Sequence, residues 1–427
     1  MKSNRIPAQN GWIHSRLGWA IMICWLSMLG FSANANAGKA NKGKANKGKA
    51  KAAEDTQIED TPMARCYGNI VRVDPPCWWV GMEDSTLQLL VYTDLEEAGA
   101  WRIAPQTQGL QLQSVRPAGP GKREYLWLDL VMQGDFEPQT VEFQRLKPGS
   151  NQWITALRYP FGRKSDPKAI EPSLKGAGWS AADLVYLVMP DRFANGDTSN
   201  DRVAGMREQQ VDRGVDQARH GGDLKGLIQN LDYIQSLGVT ALWLNPVLEN
   251  DLPKESYHGY ASTDLYRVDP RLGTNVLYKE LVTKCAQRGL KVIMDIVHNH
   301  WGGTHPLLAQ PVDSGWVHRW PAFTRSNYRA ITQMDPYAQE QDKALMRRGR
   351  FDHPMPDLDQ TNEDLQRYMI QNNLWWIQYA GLAGYRIDTY AYPDTRFMRR
   401  WTAAMLREYP RLGLVGEVWV HSVPESA

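Results

Sequence analysis

The apolar residues between Cys66 and Pro160 fall in short alternating runs, which glycine and proline interrupt. Alternation with period two is typical of half-buried strands, because successive side chains point to opposite faces of a sheet. The strands predicted from these runs are 87–92, 110–115, 124–131 and 140–146. Short strands separated by turn residues predict a small β-sandwich, which we place at residues 65–162.

From residue 184 onward the pattern changes, and short apolar runs alternate with helical repeats. The runs predict strands at 184–189, 239–244 and 291–296, and the repeats predict helices at 223–237 and 275–288. Strands that alternate with helices favour a parallel sheet in an α/β fold. We therefore expect residues 178–427 to form part of a β/α barrel.

The candidate chemistry begins at 384–390, after a helical repeat over 362–379 that closes at Gly381. This segment is predicted to be a buried strand whose polar residues lie at its carboxyl end, the end at which parallel barrels carry their chemistry. Arg386 and Asp388 are two residues apart, so on a strand they point to the same side. We expect Arg386 to lower the pKa of Asp388 and keep the carboxylate ionised, as a nucleophile requires.

A second carboxylate, Glu417, follows the apolar run 412–415. One helix and one strand separate it from Asp388, so the two acids are expected to end neighbouring strands. Two facing carboxylates are the minimum apparatus for glycoside hydrolysis. The competing interpretation is a pair of surface acids, and it fails because both follow buried strands beside glycines, where unpaired acids are costly.

Four ordered motifs resemble those of the alpha-amylase superfamily, in its neopullulanase and cyclomaltodextrinase branch. They are G-x-R-x-D-T at 384–389, G-E-V-W at 416–419, Asp295–His300 and Met355–Asp359. The resemblance covers roughly residues 65 to 427. It implies an incomplete TIM (β/α)8 barrel with an N-terminal β-sandwich domain and a loop insertion, domain B, at 301–352 after strand three. Residues 356–359 are expected to be strand four or its exit loop.

The resemblance also implies roles at the site. Asp388 would be the nucleophile and Glu417 the acid and base of a retaining double displacement, with Arg386 beside them. Tyr260 would stack under the sugar with His258 nearby. His300 would bind the primary hydroxyl of the substrate and Asp295 would support Arg386 from beneath. The implied partner is an α-glucan, such as a cyclodextrin, pullulan or a maltodextrin.

A loop rich in side-chain oxygens follows the first barrel strand and suits a hard cation. It resembles a family loop that holds structural calcium, and the matching residues are Asn195, Asp197, Asn200, Asp201, Gly221 and Asp223. The alternative is an Asx-rich turn without an ion. The number of oxygens favours calcium.

Composition and charge bear on the class of partner and on the cellular compartment. The formal net charge of +2 argues against a nucleic-acid partner. Residues 1–37 have a basic start, a short apolar core and a small-residue cleavage site, which predicts a signal peptide and a secreted or periplasmic protein. A membrane anchor is the alternative for this segment, but the apolar core is short for a span. Residues 38–64 begin with a Lys, Gly and Ala repeat typical of a flexible linker.

The cysteines, two adjacent tryptophans and the N-terminal domain allow further predictions. Cys66 and Cys77 are close enough along the chain to pair, although spacing alone does not decide it, and Cys285 is predicted to be a buried thiol. Trp78 and Trp79 have two interpretations, sugar stacking or core packing. In the branch that the chain resembles, such N-terminal domains shape the active-site cleft or mediate dimers, so a homodimer is one implied arrangement.

The sequence departs from the family in one respect. A later Asn-His-Asp motif and strands six to eight are absent from the 427 residues. We therefore expect a C-terminally truncated chain that is weak or inactive by itself. The alternative function is a catalytically impaired or non-catalytic α-glucan-binding fragment.

Overall fold

A computed structural model describes residues 61–94, 99–119, 124–164 and 178–419. The predicted signal peptide and most of the predicted linker lie outside these ranges, so both stay predictions. Within them, no helix has the length and apolar character needed to cross a membrane.

Two packed sheets form the N-terminal part of the described chain, as the alternating pattern predicted. Its strands are β1 (Arg65–Cys66), β2 (Ile70–Asp74), β3 (Trp78–Val80), β4 (Thr86–Thr93), β5 (Trp101–Ile103), β6 (Leu110–Pro117), β7 (Tyr125–Met132), β8 (Gln139–Leu146) and β9 (Trp153–Arg163). One sheet has the order β2-β4-β7-β6, and the other has the order β1-β9-β8-β5 with β3 paired to β9. The four predicted strands match β4, β6, β7 and β8 and are confirmed. The shortest strands had too few residues to show a period.

The remaining strands include a five-stranded sheet in which every pair is parallel. The strands in chain order are β10 (Val185–Val188), β11 (Ala241–Leu244), β12 (Leu248–Glu249), β13 (Asp264–Val268), β14 (Lys291–Val297), β15 (Gly384–Asp388) and β16 (Gly413–Gly416). The parallel sheet has the order β10-β11-β14-β15-β16, and β12 and β13 form a separate antiparallel pair. The predicted fold, an incomplete TIM barrel behind a β-sandwich, is therefore confirmed.

Helices connect these strands. They are α1 (Pro190–Phe193), α2 (Leu224–Gln229), α3 (Leu231–Ser236), α4 (Asn275–Ala286), α5 (Pro306–Ala309), α6 (Glu340–Arg348), α7 (Glu363–Ala380) and α8 (Thr395–Glu408), with 3₁₀ turns at Ser256–His258, Ser314–Trp316 and Ala330–Gln333. The single helix predicted at 223–237 is two helices. The chain leaves helical geometry at Asn230, whose side-chain amide donates to the Gly226 carbonyl.

The segment 356–359 is neither strand four nor its exit loop, the two positions that the sequence predicted for it. Strand β15 pairs directly with β14, so it takes the fourth position in the parallel sheet. Asp357 and Leu358 instead make isolated antiparallel bridges with His300 and Val317. The motif thus lies in the connection that leads to α7, because its backbone pairs with the loops that follow β14.

Helix α7 connects the sandwich to the parallel sheet. Asn362 caps its first turn by accepting from the Leu365 amide, and Gly381 ends it in a left-handed conformation with φ 86°. Fourteen of its residues are buried, so the helix is covered on nearly all sides. On one side the Gln371 amide pairs with both the backbone N–H and the carbonyl of Gln88 in β4.

A buried cluster of charges also joins the two parts. The Arg72 guanidinium donates to both oxygens of Asp264, at 2.5 and 2.8 Å, and to Asp74 at 2.8 Å. Tyr92 and Tyr368 donate to the other oxygen of Asp74. Both carboxylates are buried, whereas the Arg72 side chain is 36 % exposed. One partly solvated cation therefore holds two buried anions, one from each part of the chain.

Packing decides the roles of the adjacent tryptophans and of the cysteines. Trp78 and Trp79 are buried, with Trp79 6.4 Å from the Trp375 ring of α7, so they are core residues and do not face a sugar. Among the cysteines that the structure describes there is no disulfide, and the Cys77 sulfur accepts from the Trp375 indole. Burial raises the pKa of Cys285 to about 12, as expected for an inert thiol.

Removing the shared cation of this cluster should weaken the whole described unit. Arg72→Ala leaves Asp74 and Asp264 buried without a cation, so we expect the free energy of unfolding to fall by about 3 kcal/mol. Urea unfolding at pH 7 measures it. The control is Arg158→Ala, whose ion pair with Glu142 is exposed and should contribute about 0–1 kcal/mol. A loss no larger than that of the control would contradict the proposed importance of the cluster.

Candidate active site

The site lies where three parallel strands end together. The register pairs Asp295 of β14 with Arg386 of β15, and Ile387 of β15 with Gly416 of β16. Asp388 and Glu417 each come one residue later, so they are neighbours at the carboxyl edge of the sheet. The sequence prediction that these two acids end adjacent strands is thus what the backbone shows.

A single guanidinium contacts all three carboxylates. Nη1 of Arg386 donates to Asp295, at 2.9 and 3.1 Å, and to Asp388 at 2.8 Å. Nη2 lies 2.8 Å from Oε1 of Glu417. Because the two terminal nitrogens of a guanidinium are adjacent, Asp388 and Glu417 face each other across a short gap. Asp295 and Asp388 are buried, whereas the Glu417 side chain is 29 % exposed.

The electrostatics differ from the expectation for Asp388. Burial raises the pKa of Asp388 well above its usual range; Arg386 lowers it, and Asp295 and Glu417 raise it further. Burial likewise raises the pKa of Asp295 to about 6, against the opposing effect of Arg386. The sequence prediction of a lowered pKa for Asp388 was wrong, because it left out the burial of Asp388, which is the largest effect, and the two other carboxylates that share Arg386. As the pH falls, Asp388 takes up its proton earlier than an isolated aspartate would.

Thr389 connects the two acids, and the sequence analysis missed it. Its backbone N–H donates to Oε2 of Glu417 at 3.0 Å, and its hydroxyl lies 3.3 Å from Oδ2 of Asp388. Its φ is +44°, a left-handed conformation that a β-branched residue rarely adopts. Such strain persists only where surrounding contacts fix it, as is common at functional sites. Its place directly after Asp388 was the only available signal.

Two aromatic donors fix Asp295 under Arg386. The Trp243 indole donates to Oδ2 at 2.9 Å, and the Tyr260 hydroxyl donates to the same oxygen at 3.0 Å. The Arg386 guanidinium also lies over both rings, 5.1 Å from the centre of Trp243 and 5.7 Å from that of Tyr260. The predicted support of Arg386 by Asp295 is present as a contact. Trp243 was missed, since a tryptophan inside an apolar strand reads as core.

The two predicted histidines lie beside Tyr260 as uncharged rings. His258 accepts from the Tyr260 N–H at 2.8 Å and stacks on its ring, and burial lowers the pKa of His258 to about 4. His300 lies 3.1 Å from the Tyr260 carbonyl through Nε2 and 3.2 Å from the Asn299 amide through Nδ1. Both ring nitrogens of His300 therefore have protein partners. Its predicted contact with a substrate hydroxyl stays a prediction.

The oxygen-rich loop separates into two groups. Asp223 caps α2 by accepting from the Gly226 N–H, and it also accepts from the Asp197 N–H; Asp197 itself is bound to Ser199 and Lys225 at the surface. Of the other residues, the Asn195 amide donates to Asp201 at 2.7 Å and both side chains lie against Gly221. The Oδ1 atoms of Asn195 and Asn200 are buried without a hydrogen-bond partner.

This second group fits a hard cation, because buried oxygens without donors are what such an ion would satisfy. The candidate ligands are Asn195, Asn200, Asp201 and the Gly221 carbonyl. Within the described ranges, no group of three or more His, Cys, Asp or Glu side chains is arranged to bind a metal. Amide and carbonyl oxygens would therefore have to complete the set.

The fold and the site define a β/α-barrel protein with an arginine-bound carboxylate pair at the carboxyl ends of its strands. Residues 187–423 match the family model described as alpha amylase, catalytic domain, and residues 72–163 match the model described as cyclomaltodextrinase, N-terminal. The chain belongs to the alpha-amylase family.

Curated relatives agree with this assignment. A cyclomaltodextrinase of Thermoanaerobacter pseudethanolicus is 30 % identical over 286 residues, which is 66 % of this chain and 46 % of that protein. An intracellular maltogenic amylase of Bacillus subtilis is 28 % identical over 268 residues, 63 % of this chain and 42 % of that protein. The chain spans about half the length of the curated relatives it matches. The crystal structure of an Anoxybacillus alpha-amylase is 33 % identical, with a TM-score of 0.48 over 58 % of this chain and 49 % of that one.

Loss of the shared guanidinium should destabilise the protein in a pH-dependent way. In Arg386→Gln three carboxylates share a site without a cation, so the pKa values of Asp295 and Asp388, which burial already raises, rise further above the unfolded value of about 4. The folded state then binds more protons than the unfolded state, and stability is lost as the pH rises above that value. We expect a loss of about 3 kcal/mol or more at pH 8, part of which is regained at pH 5.

Urea unfolding at the two pH values makes the measurement. Arg163→Gln is the matched control, since Arg163 pairs with Glu137 on the surface and should show neither effect. Equal loss at pH 5 and pH 8 in Arg386→Gln would contradict the shared-cation account.

Proposed function

We propose that this protein is a retaining glycoside hydrolase that cleaves α-glucosidic bonds in maltodextrins, cyclodextrins or pullulan. The observation that carries the proposal is the contact of one guanidinium with both Asp388 and Glu417, which holds the two carboxyls side by side at the ends of adjacent strands. The names of the relatives, cyclomaltodextrinase and maltogenic amylase, support an α-glucan as the substrate class.

In the first step, a carboxylate oxygen of Asp388 attacks the anomeric carbon and the bond to the leaving oxygen breaks. Glu417 gives its proton to that oxygen as it leaves. In the second step, Glu417 takes a proton from water, whose oxygen displaces Asp388 from the anomeric carbon. Two inversions retain the configuration, and both steps pass through an oxocarbenium-like state that the Asp388 carboxylate stabilises.

The contacts of Glu417 in the free protein would have to change when substrate binds. Both oxygens of Glu417 accept from protein donors, Arg386 and the Thr389 N–H, so neither is directed at a leaving group. Substrate binding would have to release one of these contacts and allow Glu417 to carry a proton. Glu417 is the most exposed of the three carboxylates, which makes it the one that can move. Asp388 stays bound to Arg386 and therefore keeps its position under the ring.

A purely sugar-binding role is less well supported. Binding an uncharged sugar requires hydrogen bonds and apolar faces, not two buried acids beside a third. Removing three carboxylates from water around one guanidinium costs desolvation free energy, and sugar binding alone does not require these acids.

The role of each acid is testable on maltoheptaose and α-maltosyl fluoride. Asp388→Asn and Glu417→Gln should each lower reducing-sugar release from maltoheptaose by about 1,000-fold or more. Asp335→Asn, at an exposed turn, serves as the control. Azide needs no base, so in Glu417→Ala it should restore turnover of the fluoride and give the retained α-maltosyl azide, whereas any azide product formed by Asp388→Ala should be inverted. Release by Asp388→Asn equal to that of the unchanged protein would rule out the assigned chemistry.

We further propose that calcium binds oxygens of Asn195, Asn200, Asp201 and Gly221, because the Oδ1 atoms of both asparagines are buried without a donor. The ion would be structural, since this loop does not contact the acid pair. It would join the segment after β10 to the turn before α2. Export of the protein is proposed as well, and it rests on the sequence of residues 1–37.

Chelation tests the calcium proposal. EDTA should lower the melting temperature of the unchanged protein by about 5 °C, because an ion that binds only the folded state stabilises it by mass action. Asp201→Ala should already have the lower melting temperature without EDTA, and EDTA should not change it. The melting temperature of Asp335→Ala should fall on adding EDTA, as that of the unchanged protein does. No shift on chelation, with no recovery on adding calcium, would count against the site.

A further inference from the structure

One buried asparagine of helix α7 is hydrogen-bonded to three separate segments of the parallel sheet and its helices. The side-chain Oδ1 of Asn373 accepts from the Trp401 indole of α8 at 2.7 Å, and it lies 2.8 Å from Nε2 of His298, directly after β14. The backbone carbonyl of Asn373 accepts from the Tyr385 hydroxyl of β15 at 2.6 Å. Neither the sequence motifs nor the mechanism above includes Asn373, although it connects α7 to β14, β15 and α8.

The chemistry of the donors fixes the direction of these bonds. A tryptophan indole can only donate, so the atom that faces Trp401 is the amide oxygen of Asn373 and not its nitrogen. The same oxygen faces Nε2 of His298, so that nitrogen must carry a proton and donate it. Burial lowers the pKa of His298 to about 4, so the ring is neutral at pH 7. Both lone pairs of the Asn373 oxygen are therefore used, and its amide nitrogen donates to Oδ1 of Asn372 at 3.2 Å.

Each bonded segment carries or leads to one part of the acid cluster. His298 follows Asp295 in the same segment, and Tyr385 directly precedes Arg386 on β15. Helix α8 leads to β16, at whose end the second acid of the pair lies. Because successive side chains of a strand point to opposite faces, the Tyr385 hydroxyl holds β15 from the helix side while Arg386 faces the carboxylates. The bonds to one asparagine therefore fix the relative positions of the segments that hold the acids.

The preceding residue of the helix provides a contrast. Asn372 is buried as well, but its side-chain amide donates to the Leu265 carbonyl of β13. Strand β13 lies outside the parallel sheet, paired with β12, and carries none of the three carboxylates. Two adjacent asparagines of one helix thus bind different parts of the fold, and Asn373 is the one that binds the segments of the acid cluster.

Packing alone does not account for an amide at this position. An apolar side chain of the same size would fill the space without the cost of removing an amide from water. A buried polar network instead favours one arrangement of the segments that it joins, because a shifted segment leaves a buried donor unpaired.

We propose that Asn373 is a positioning residue for the reaction: its side-chain bonds to His298 and Trp401 hold the end of β14 and helix α8 in the register that sets Glu417 beside Asp388. The proposal rests on the proposed function, because it takes the acid pair to be the reacting groups. Asn373 does not touch the substrate, and it acts through the segments that it joins. A shift of about 1 Å between two reacting groups is enough to slow a reaction by orders of magnitude.

Kinetics with a matched pair of variants test this role. Asn373→Leu removes the acceptor and keeps the size, so it should lower kcat for maltoheptaose by about tenfold or more with KM nearly unchanged. Asn372→Leu also loses a buried hydrogen bond, but both constants should stay nearly unchanged. The variants are assayed at a temperature at which unfolding curves show them folded. Trp401→Phe removes one of the two donors and should lower kcat in the same way if Asn373→Leu does not fold. Equal losses of kcat in the two leucine variants would overturn the proposal, since they would indicate a general loosening of the core.

A spectroscopic measurement tests the bond to His298 without relying on activity. In protein with ¹⁵N-labelled histidine, the His298 ring should be the neutral Nε2–H tautomer between pH 6 and pH 8, and loss of the signal in His298→Phe assigns it. In Asn373→Asp the new anion should raise the pKa of His298, so that the ring is charged at pH 6. The signal of His353, an exposed residue, should not change. A His298 ring that stays neutral at pH 6 in Asn373→Asp would overturn the proposal.

A double-mutant cycle tests the coupling to the acids if the protein releases no sugar, a result that would overturn the proposed function alone. The unfolding free energy is measured in urea at pH 5, where Arg386→Gln is expected to be less destabilised. The combined loss in Asn373→Leu with Arg386→Gln should differ from the sum of the two single losses, because residues that position each other are not independent. The same cycle with Asn372→Leu should be additive. Additive losses in both cycles would overturn the proposal.

Discussion

One positive charge organises the candidate site. Arg386 is the cation that the structure places between Asp295, Asp388 and Glu417, and it lies at the centre of a buried sheet end. Coulomb attraction in a poorly solvated environment is strong, but so is the cost of removing each carboxylate from water. One cation cannot neutralise three carboxylates. Neutral donors also stabilise two of them by hydrogen bonds: Trp243 and Tyr260 donate to Asp295, and the Thr389 N–H donates to Glu417.

The three acids also differ in burial and in the hydrogen bonds that they accept. Asp295 has donors on both oxygens and is buried, so it is fixed and orients the guanidinium. Asp388 is buried with fewer donors, and its pKa is raised by burial and by its neighbours. Glu417 is partly exposed and held by contacts that a substrate can replace. The proposed two-step displacement uses two carboxylates, and here Asp388 and Glu417 share a guanidinium that Asp295 orients.

The geometry of this cluster also depends on helix α7. The helix contacts β4 of the sandwich through Gln371, and it also holds β15, because the Tyr385 hydroxyl donates to the Asn373 carbonyl. Strand β15 carries Arg386 and Asp388, so the sandwich and the acid pair share a support. The insertion supplies a different kind of residue. The strands provide charge at fixed positions, whereas the loops provide the apolar rings that surround it.

How far the sequence determines this protein follows from the range of each interaction. Period and capping are local, so the strands of the sandwich, the helix from Asn362 to Gly381 and the order of Arg386, Asp388 and Glu417 could be predicted from residues alone. The family motifs carried the rest of the candidate site, apart from Trp243 and Thr389. Tertiary structure decided the electrostatics, because a pKa depends on every charge within reach and the sequence does not show that Asp295 and Glu417 share the guanidinium with Asp388. It also decided that 356–359 is a connection and that Phe351 packs on Tyr392 and Trp419, since contacts between residues far apart in the chain have no local pattern.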